Sequence, residues 1–212
     1  MSGAPAWSVP RLWPGATVAC LGGGPSLSAR EVARLRGRVR VVAINDAWRL
    51  APWAEVLYAC DARWWRREGG VPGFAGLKVT LSNSRGQLDA YPEIRIVENT
   101  GTLGLERDPR GLRTGRSGGY QAINLAVHLG AVRVLLLGYD LRAAPDGRTH
   151  WFGDHPAWPT RPSIYREVML PPFAGLAREL AEIGVAVVNC TPKSALDCFP
   201  KMDLEDALAD GL

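Results

Sequence analysis

The run Thr17–Leu21 stops at Gly22-Gly23-Gly24-Pro25-Ser26, and this junction constrains the fold more than any other stretch. A short apolar run ending in glycines reads as a buried parallel strand followed by a sharp turn. Ser26 or Ser28 can cap the helix that follows, which carries Leu27, Val32 and Leu35 on its apolar side and reaches Arg36. The alternation then repeats. Val39–Ile44 is a second strand, Asn45-Asp46 opens a short helix to Leu50, and Glu55–Ala59 is a third strand ending at Cys60-Asp61. Residues 61–76 read as a short helix plus loop, and Lys78–Leu81 and Ile94–Val97 as further strands. Residues 98–116 form a long loop. Ser117–Leu129 is a helix closed by Gly130, and Val132–Leu137 is the strongest strand. After the long loop 139–162, residues 163–183 are helical with a break at Pro171-Pro172. Val185–Val188 is the last strand, and residues 194–210 are a terminal helical segment.

Strands alternating with helices imply right-handed crossovers and a mainly parallel sheet, a three-layer Rossmann-like α/β fold. The 212 residues, 47% of them hydrophobic, suffice for one core and are short for two. Residues 1–15, with three prolines, read as an arm whose Trp7 and Trp13 pack on the rest; residues 16–212 form a single nucleotide-binding domain. A charged fraction of 22% excludes a disordered chain. No apolar stretch reaches the roughly 18 residues of a membrane helix. The start of the chain lacks the pattern of a secretory signal, so a cytoplasmic location is expected. The net charge of +4 suits a protein that handles phosphates and leaves nucleic acid open as a partner. Cys20, Cys60, Cys190 and Cys198 form no C-x-x-C pair and read as small buried thiols.

In open parallel sheets, ligands bind at the carboxyl ends of the strands, and the polar clusters here fall at those ends. In the first, Gly22, Gly23 and Gly24 let backbone approach a phosphate, Pro25 shapes the turn and Ser26 adds a hydroxyl donor. This is neither a dinucleotide fingerprint nor a P-loop, and a plain capped turn would look similar. A second cluster, Thr114-Gly115-Arg116-Ser117-Gly118-Gly119-Tyr120, sits at a helix start and offers another anion or ribose site; a capped helix packed closely on the sheet is the alternative. The third is Gly138-Tyr139-Asp140. Asp140 follows the most buried strand, where a carboxylate is costly without a partner. His150 and His155 lie in the loop beyond it, and either is a candidate general base for an acceptor hydroxyl. His128, inside a helix, reads as structural. Asn45 can read a base or sugar through its amide, and Asp46 can cap the short helix. Asp61 can hold Mg²⁺ with phosphate oxygens, though capping is the simpler account. Trp48, Trp53, Trp64 and Trp65 could stack on a base, though burial in the core is the favoured account.

Val18–Leu27, Ser117–Leu141 and Asn189–Ala195 together resemble the bacterial lipooligosaccharide sialyltransferases. The matching residues are Gly22, Gly24, Pro25, Ser26, Asn45, Ser117, Gly118, Gly138, Asp140, Pro192 and Ser194. The resemblance implies a nucleotide-sugar donor of CMP type, held by the glycine loop, Asn45 and Ser117, and a histidine of the late loop as general base. That family uses tyrosines on the leaving phosphate, for which Tyr139 and Tyr165 are the candidates here. Arg116 or His150 would offset the charge building there. The same loop is similar to the hydroxymethylpterin pyrophosphokinase-like group, whose pattern places Asp61 on Mg²⁺ with a nucleoside triphosphate. His150–Pro156 is similar to phage-encoded proteins of this group.

The expectation is therefore a nucleotide-dependent transferase, glycosyltransferase-like, with His155, His150 and Asp140 in catalysis. Gly22–Ser26, Asn45, Asp61, Arg116, Ser117, Gly118 and Tyr139 would lie on the nucleotide. No organic cofactor or membrane is expected, and the acceptor is open, nucleic acid included. A Mg²⁺-dependent pyrophosphokinase-like enzyme and a non-catalytic nucleotide or nucleic-acid binder are the alternatives.

Overall fold

The computed structural model describes residues 7–153 and 159–210. Among these, eight parallel strands form one open sheet in the order β6-β5-β4-β3-β2-β1-β7-β8. The strands are β1 (Ala16–Leu21), β2 (Arg40–Ile44), β3 (Val56–Tyr58), β4 (Leu77–Leu81), β5 (Ile94–Asn99), β6 (Gly111–Leu112), β7 (Ala131–Leu137) and β8 (Ala186–Asn189). From β1 the chain steps outward strand by strand to β6, then returns to lay β7 on the other flank of β1. Crossovers of one hand that travel in opposite directions put their helices on opposite faces. Accordingly α1 (Ala29–Ala33) and α2 (Ala62–Arg67) cover one face, together with α5 (Leu204–Ala209). The helices α3 (Gly118–Leu129) and α4 (Phe173–Glu182) cover the other.

Both faces are therefore dry, which explains why the strands read as unbroken apolar runs. Along β1, Val18 and Cys20 enter the α3 side while Ala19 and Leu21 enter the α1 side. β7 does the same with Val134 and Leu136 against Leu135 and Leu137. The register Val18↔Val134 through Leu21↔Leu137 brings the ends of β1 and β7 level. The chain goes on from β1 toward β2 and from β7 toward β8, and this is the topological switch point where such sheets open a crevice.

Several boundaries differ from expectation. The loop 98–116 contains β6, whose two residues pair with Glu98 and Asn99; a two-residue strand leaves no periodicity to read. The helix after the glycine loop is short, starting at Ala29 with Ser28 as its cap. Of the terminal segment only α5 is helical, because Thr191–Lys201 instead makes turns whose buried Thr191 and Ser194 bond the end of β7. Near the start of the chain, Val9 and Trp13 are buried, and Trp13 N–H donates to Leu129 O at 2.7 Å. Cys20 and Cys190 are buried and Cys60 partly so, but Cys198 is exposed, so burial does not hold for every thiol. Among the described residues no helix is long and apolar enough to cross a membrane.

Candidate functional site

A cavity of about 220 Å³ lies over the β1/β7 switch point. It is lined by Gly22–Pro25, Asn45, Ser117–Gly119, Tyr139 and His150, so the structure brings together most of the positions singled out from the sequence. Aromatic and aliphatic walls come from Ile44, Trp64, Phe152, Tyr165 and Phe173. Arg142 joins the lining as a charge that the sequence reading did not single out.

The glycine loop has two kinds of glycine. A Cβ on Gly22 would meet Gly138 O at 2.5 Å, and one on Gly24 would meet Asp140 Oδ2 at 2.1 Å. These two glycines let β1 and β7 loops touch. A Cβ on Gly23 would meet only His150 Cδ2, at an ordinary 3.4 Å. The amides divide in the same way. Gly22 N–H and Gly24 N–H donate to Leu137 O and Gly138 O. Ser26 donates to Asp140 Oδ2 from its hydroxyl at 2.8 Å and its amide at 3.3 Å. Gly23 N–H makes no hydrogen bond among the described residues and borders the cavity.

Asp140 and Ser26 are thus partners of each other, outside the cavity lining. Asp140 is 5% exposed. Burial pushes its carboxyl above the ordinary value, and the Ser26 bonds and the Arg142 charge offset this only in part. The buried carboxylate found its partner 114 residues away, where it latches the glycine loop to the end of β7. The segment after β7 is held in turn: Ser194 Oγ donates to Tyr139 O at 2.5 Å and Ala195 N–H to Asp140 O at 2.8 Å. The Pro192–Ser194 stretch therefore acts as a brace.

The second arm of the site is the start of α3. Ser117 caps it by accepting from Tyr120 N–H at 3.2 Å. Gly118 N–H and Gly119 N–H have no partner among the described residues and point along the positive end of the helix dipole. A Cβ on Gly119 would meet Tyr139 Cε1 at 2.8 Å, so this glycine lets the helix start sit against Tyr139. Arg116, just before the cap, is exposed and not part of the lining, so it does not face the ligand space as expected.

Asn45, Leu141 and Arg116 hold left-handed φ values of 49°, 47° and 58°. Such conformations cost of order 1–3 kcal/mol each and gather where function imposes them. The first two line the cavity and the third adjoins it; the fourth such residue among those described, Val71 at 53°, is not part of the lining. Asp46 does not cap the short helix Asn45–Arg49; it accepts from Trp64 Nε1 at 2.9 Å and pairs with Arg67 at 2.9 Å. Trp64 is thereby fixed as a wall. Trp65 is fully buried, while Trp48 and Trp53 lie beneath the guanidinium groups of Arg49 and Arg36.

His150 stands over Gly23. Its Nδ1 lies 3.0 Å from Thr149 Oγ1, its ring stacks on Phe152 at 5.1 Å, and Trp151 N–H donates to Gly23 O at 3.2 Å. His155 lies outside the described residues. Tyr139 OH donates to Gly119 O at 3.0 Å and Tyr165 OH to Thr149 O at 3.1 Å, so both phenols address backbone carbonyls.

Asp61 lies elsewhere on the rim, in a crevice with Arg63, Arg66 and Asn83. It caps α2 by accepting from Arg63 N–H at 2.8 Å and pairs with the same residue's guanidinium at 2.9 Å. Burial pushes its carboxyl up, but the Arg63 bonds and the charges of Arg63 and Arg66 outweigh that and hold it below its ordinary value. Its carboxylate is thus already partnered by an arginine. Among the described residues no group of three or more His, Cys, Asp or Glu could hold a metal ion.

The chain matches no protein-family model, and no curated protein matches its sequence. Among solved structures it is similar to the sialyltransferase CstII from Campylobacter jejuni, determined in complex with a substrate analogue, cytidine-5'-monophosphate. The TM-score is 0.50 at 11% identity, over 90% of this chain and 86% of that one. At that identity the two share an α/β Rossmann-like fold.

Proposed function

We propose that the chain is a glycosyltransferase-like enzyme that takes a nucleotide-activated donor of CMP-sugar type and moves its sugar to an acceptor hydroxyl. One observation carries this reading: Gly23 of the strand–loop junction and the uncapped amides of Gly118 and Gly119 line one cavity at the switch point. Helix starts of this kind are anion sites. The cytidine-5'-monophosphate held by the sialyltransferase of similar fold supports a pyrimidine monophosphate as the nucleotide. Asn45 supplies an amide for ribose or base.

In the transfer, the acceptor oxygen bonds to the sugar's anomeric carbon as the carbon–oxygen bond to phosphate breaks. The electron pair leaves with the nucleotide, and the acceptor's proton passes to a base. In the tautomer whose Nδ1–H donates to Thr149 Oγ1, Nε2 of His150 is the nitrogen that takes the proton. His155, five positions along the sequence, is the second candidate.

A thermal-shift panel of CMP, UDP, GDP and ATP and their sugars, with and without Mg²⁺, tests the reading. CMP at ~100 times its dissociation constant should stabilise by roughly 2.7 kcal/mol. Release of CMP from a CMP-sugar should follow and drop ~100-fold or more in His150→Ala. A panel with no responding nucleotide would sink the proposal.

A further inference from the structure

We infer that Arg142 is the cation that receives the donor's phosphate and offsets the charge left on it as the sugar departs. The inference rests on the donor reading above and adds a residue to it. Breaking the bond to the sugar leaves a second negative charge on the nucleotide's phosphate, and stabilising charge that develops in this way is usually an enzyme's main contribution to rate. Two helix-start amides carry only partial charge.

The residues around the cavity leave that task to Arg142. It is the one lysine or arginine lining the cavity among the described residues. Nearby arginines are already matched: Arg49 and Arg67 pair with Glu68 and Asp46, and Arg63 with Asp61. Arg142 makes no ion pair among the described residues, although Asp140 lies close enough to feel its charge. Asp140 is instead held by Ser26. The two tyrosines that the resemblance offered for the phosphate give their hydroxyl hydrogens to carbonyls. Arg116 is outside the lining. The residue before Arg142, Leu141, holds a left-handed φ of 47°, which a leucine adopts only where its surroundings impose it, so the chain at this point is constrained at the cavity's edge.

The test compares CMP with cytidine, which lacks the phosphate, on the wild-type chain and on Arg142→Gln and Arg142→Lys. Titration calorimetry should show CMP weakened about tenfold or more by Arg142→Gln, ~1.4 kcal/mol, with cytidine measured by competition changed no more than about twofold. Arg142→Lys keeps the charge and loses the fork, so it should recover part of the loss. A ³¹P pH titration of bound CMP gives a signature that a purely structural role would not move. The guanidinium should hold the phosphate's second ionisation, ordinarily near ~6, below its free value, and Arg142→Gln should return it upward. Wild-type affinity for CMP in Arg142→Gln, or an equal loss for cytidine and CMP, overturns the inference and leaves the donor reading standing. A wild-type chain that binds no CMP overturns both.

Discussion

At the level of single residues, the three glycines after β1 separate structure from ligand. Gly24 is required because Asp140 and Gly138 O occupy the space of a side chain, and Gly23 is spare room facing His150. Gly24→Ala should therefore destabilise by about 1–3 kcal/mol, since the latch to Asp140 must shift. Gly23→Ala should stay within about 1 kcal/mol of wild type in urea unfolding while weakening CMP. Equal effects of the two substitutions on stability would show that the loop is not divided as described. The glycine run announced a close approach, and Asp140 announced a need for a partner. Neither could say that each answers the other, because Ser26 and Asp140 meet only once β1 and β7 become neighbours across more than a hundred residues. Arg142 was legible in principle as a cation two positions beyond that aspartate. Its value rests on its neighbours being paired, which only the folded chain displays.

Among the elements, α3 does two jobs with its two ends. Its start faces the cavity, and its last turns hold the irregular segment that reads from sequence as one long loop. Asn124 accepts from Glu106 N–H at 2.9 Å and donates to Glu106 O at 2.9 Å, while His128 Nε2 lies 3.0 Å from Gly111 O. With a carbonyl as its partner, Nε2 carries a hydrogen. Burial lowers its affinity for a proton below the ordinary 6.5, opposed by the Gly111 carbonyl and by the charges of Glu106 and Asp108. For a base whose folded value is depressed, stability is whole above the unfolded value and is lost as pH falls through the folded one. Unfolding free energy should therefore decline below about pH 6.5, and His128→Gln should show a shallower decline over the same range. A wild-type and variant difference that is flat between pH 7 and 5 would remove His128 from the account. Helix and histidine were both readable from sequence. The strand they secure, two residues long, was not. Losing the cap is a separate matter: Ser117→Ala removes the bond to Tyr120 N–H and should cost about 1 kcal/mol by denaturant titration.

Across the whole molecule, strand order decides where chemistry can occur. Asn45 and Asp61 each follow a strand, so position along the chain alone did not rank them. The sheet ranks them: beside Asn45 and Gly23 the chain leaves β1 toward β2 and β7 toward β8, whereas Asp61 follows β3 within a uniform run of crossovers and is spent on Arg63. Hydrogen exchange read amide by amide can tell these places apart. In the free chain, Gly23, Gly118 and Gly119 lack amide partners among the described residues and should exchange fast, although they adjoin the most buried strands. The centres of β1, β2 and β7 should be slowest, and β6, two residues at the sheet edge, should be faster. Saturating CMP should slow Gly23, Gly118 and Gly119 together, because one anion bridges the strand–loop junction and the helix start. Protection that appeared instead at Asp61–Arg66 would move the ligand to the β3 end of the rim and leave the start of α3 without a part in binding. Slowing of Gly118 and Gly119 without Gly23 would keep the helix start as the anion site and strip the glycine loop of any role beyond holding β1 against β7.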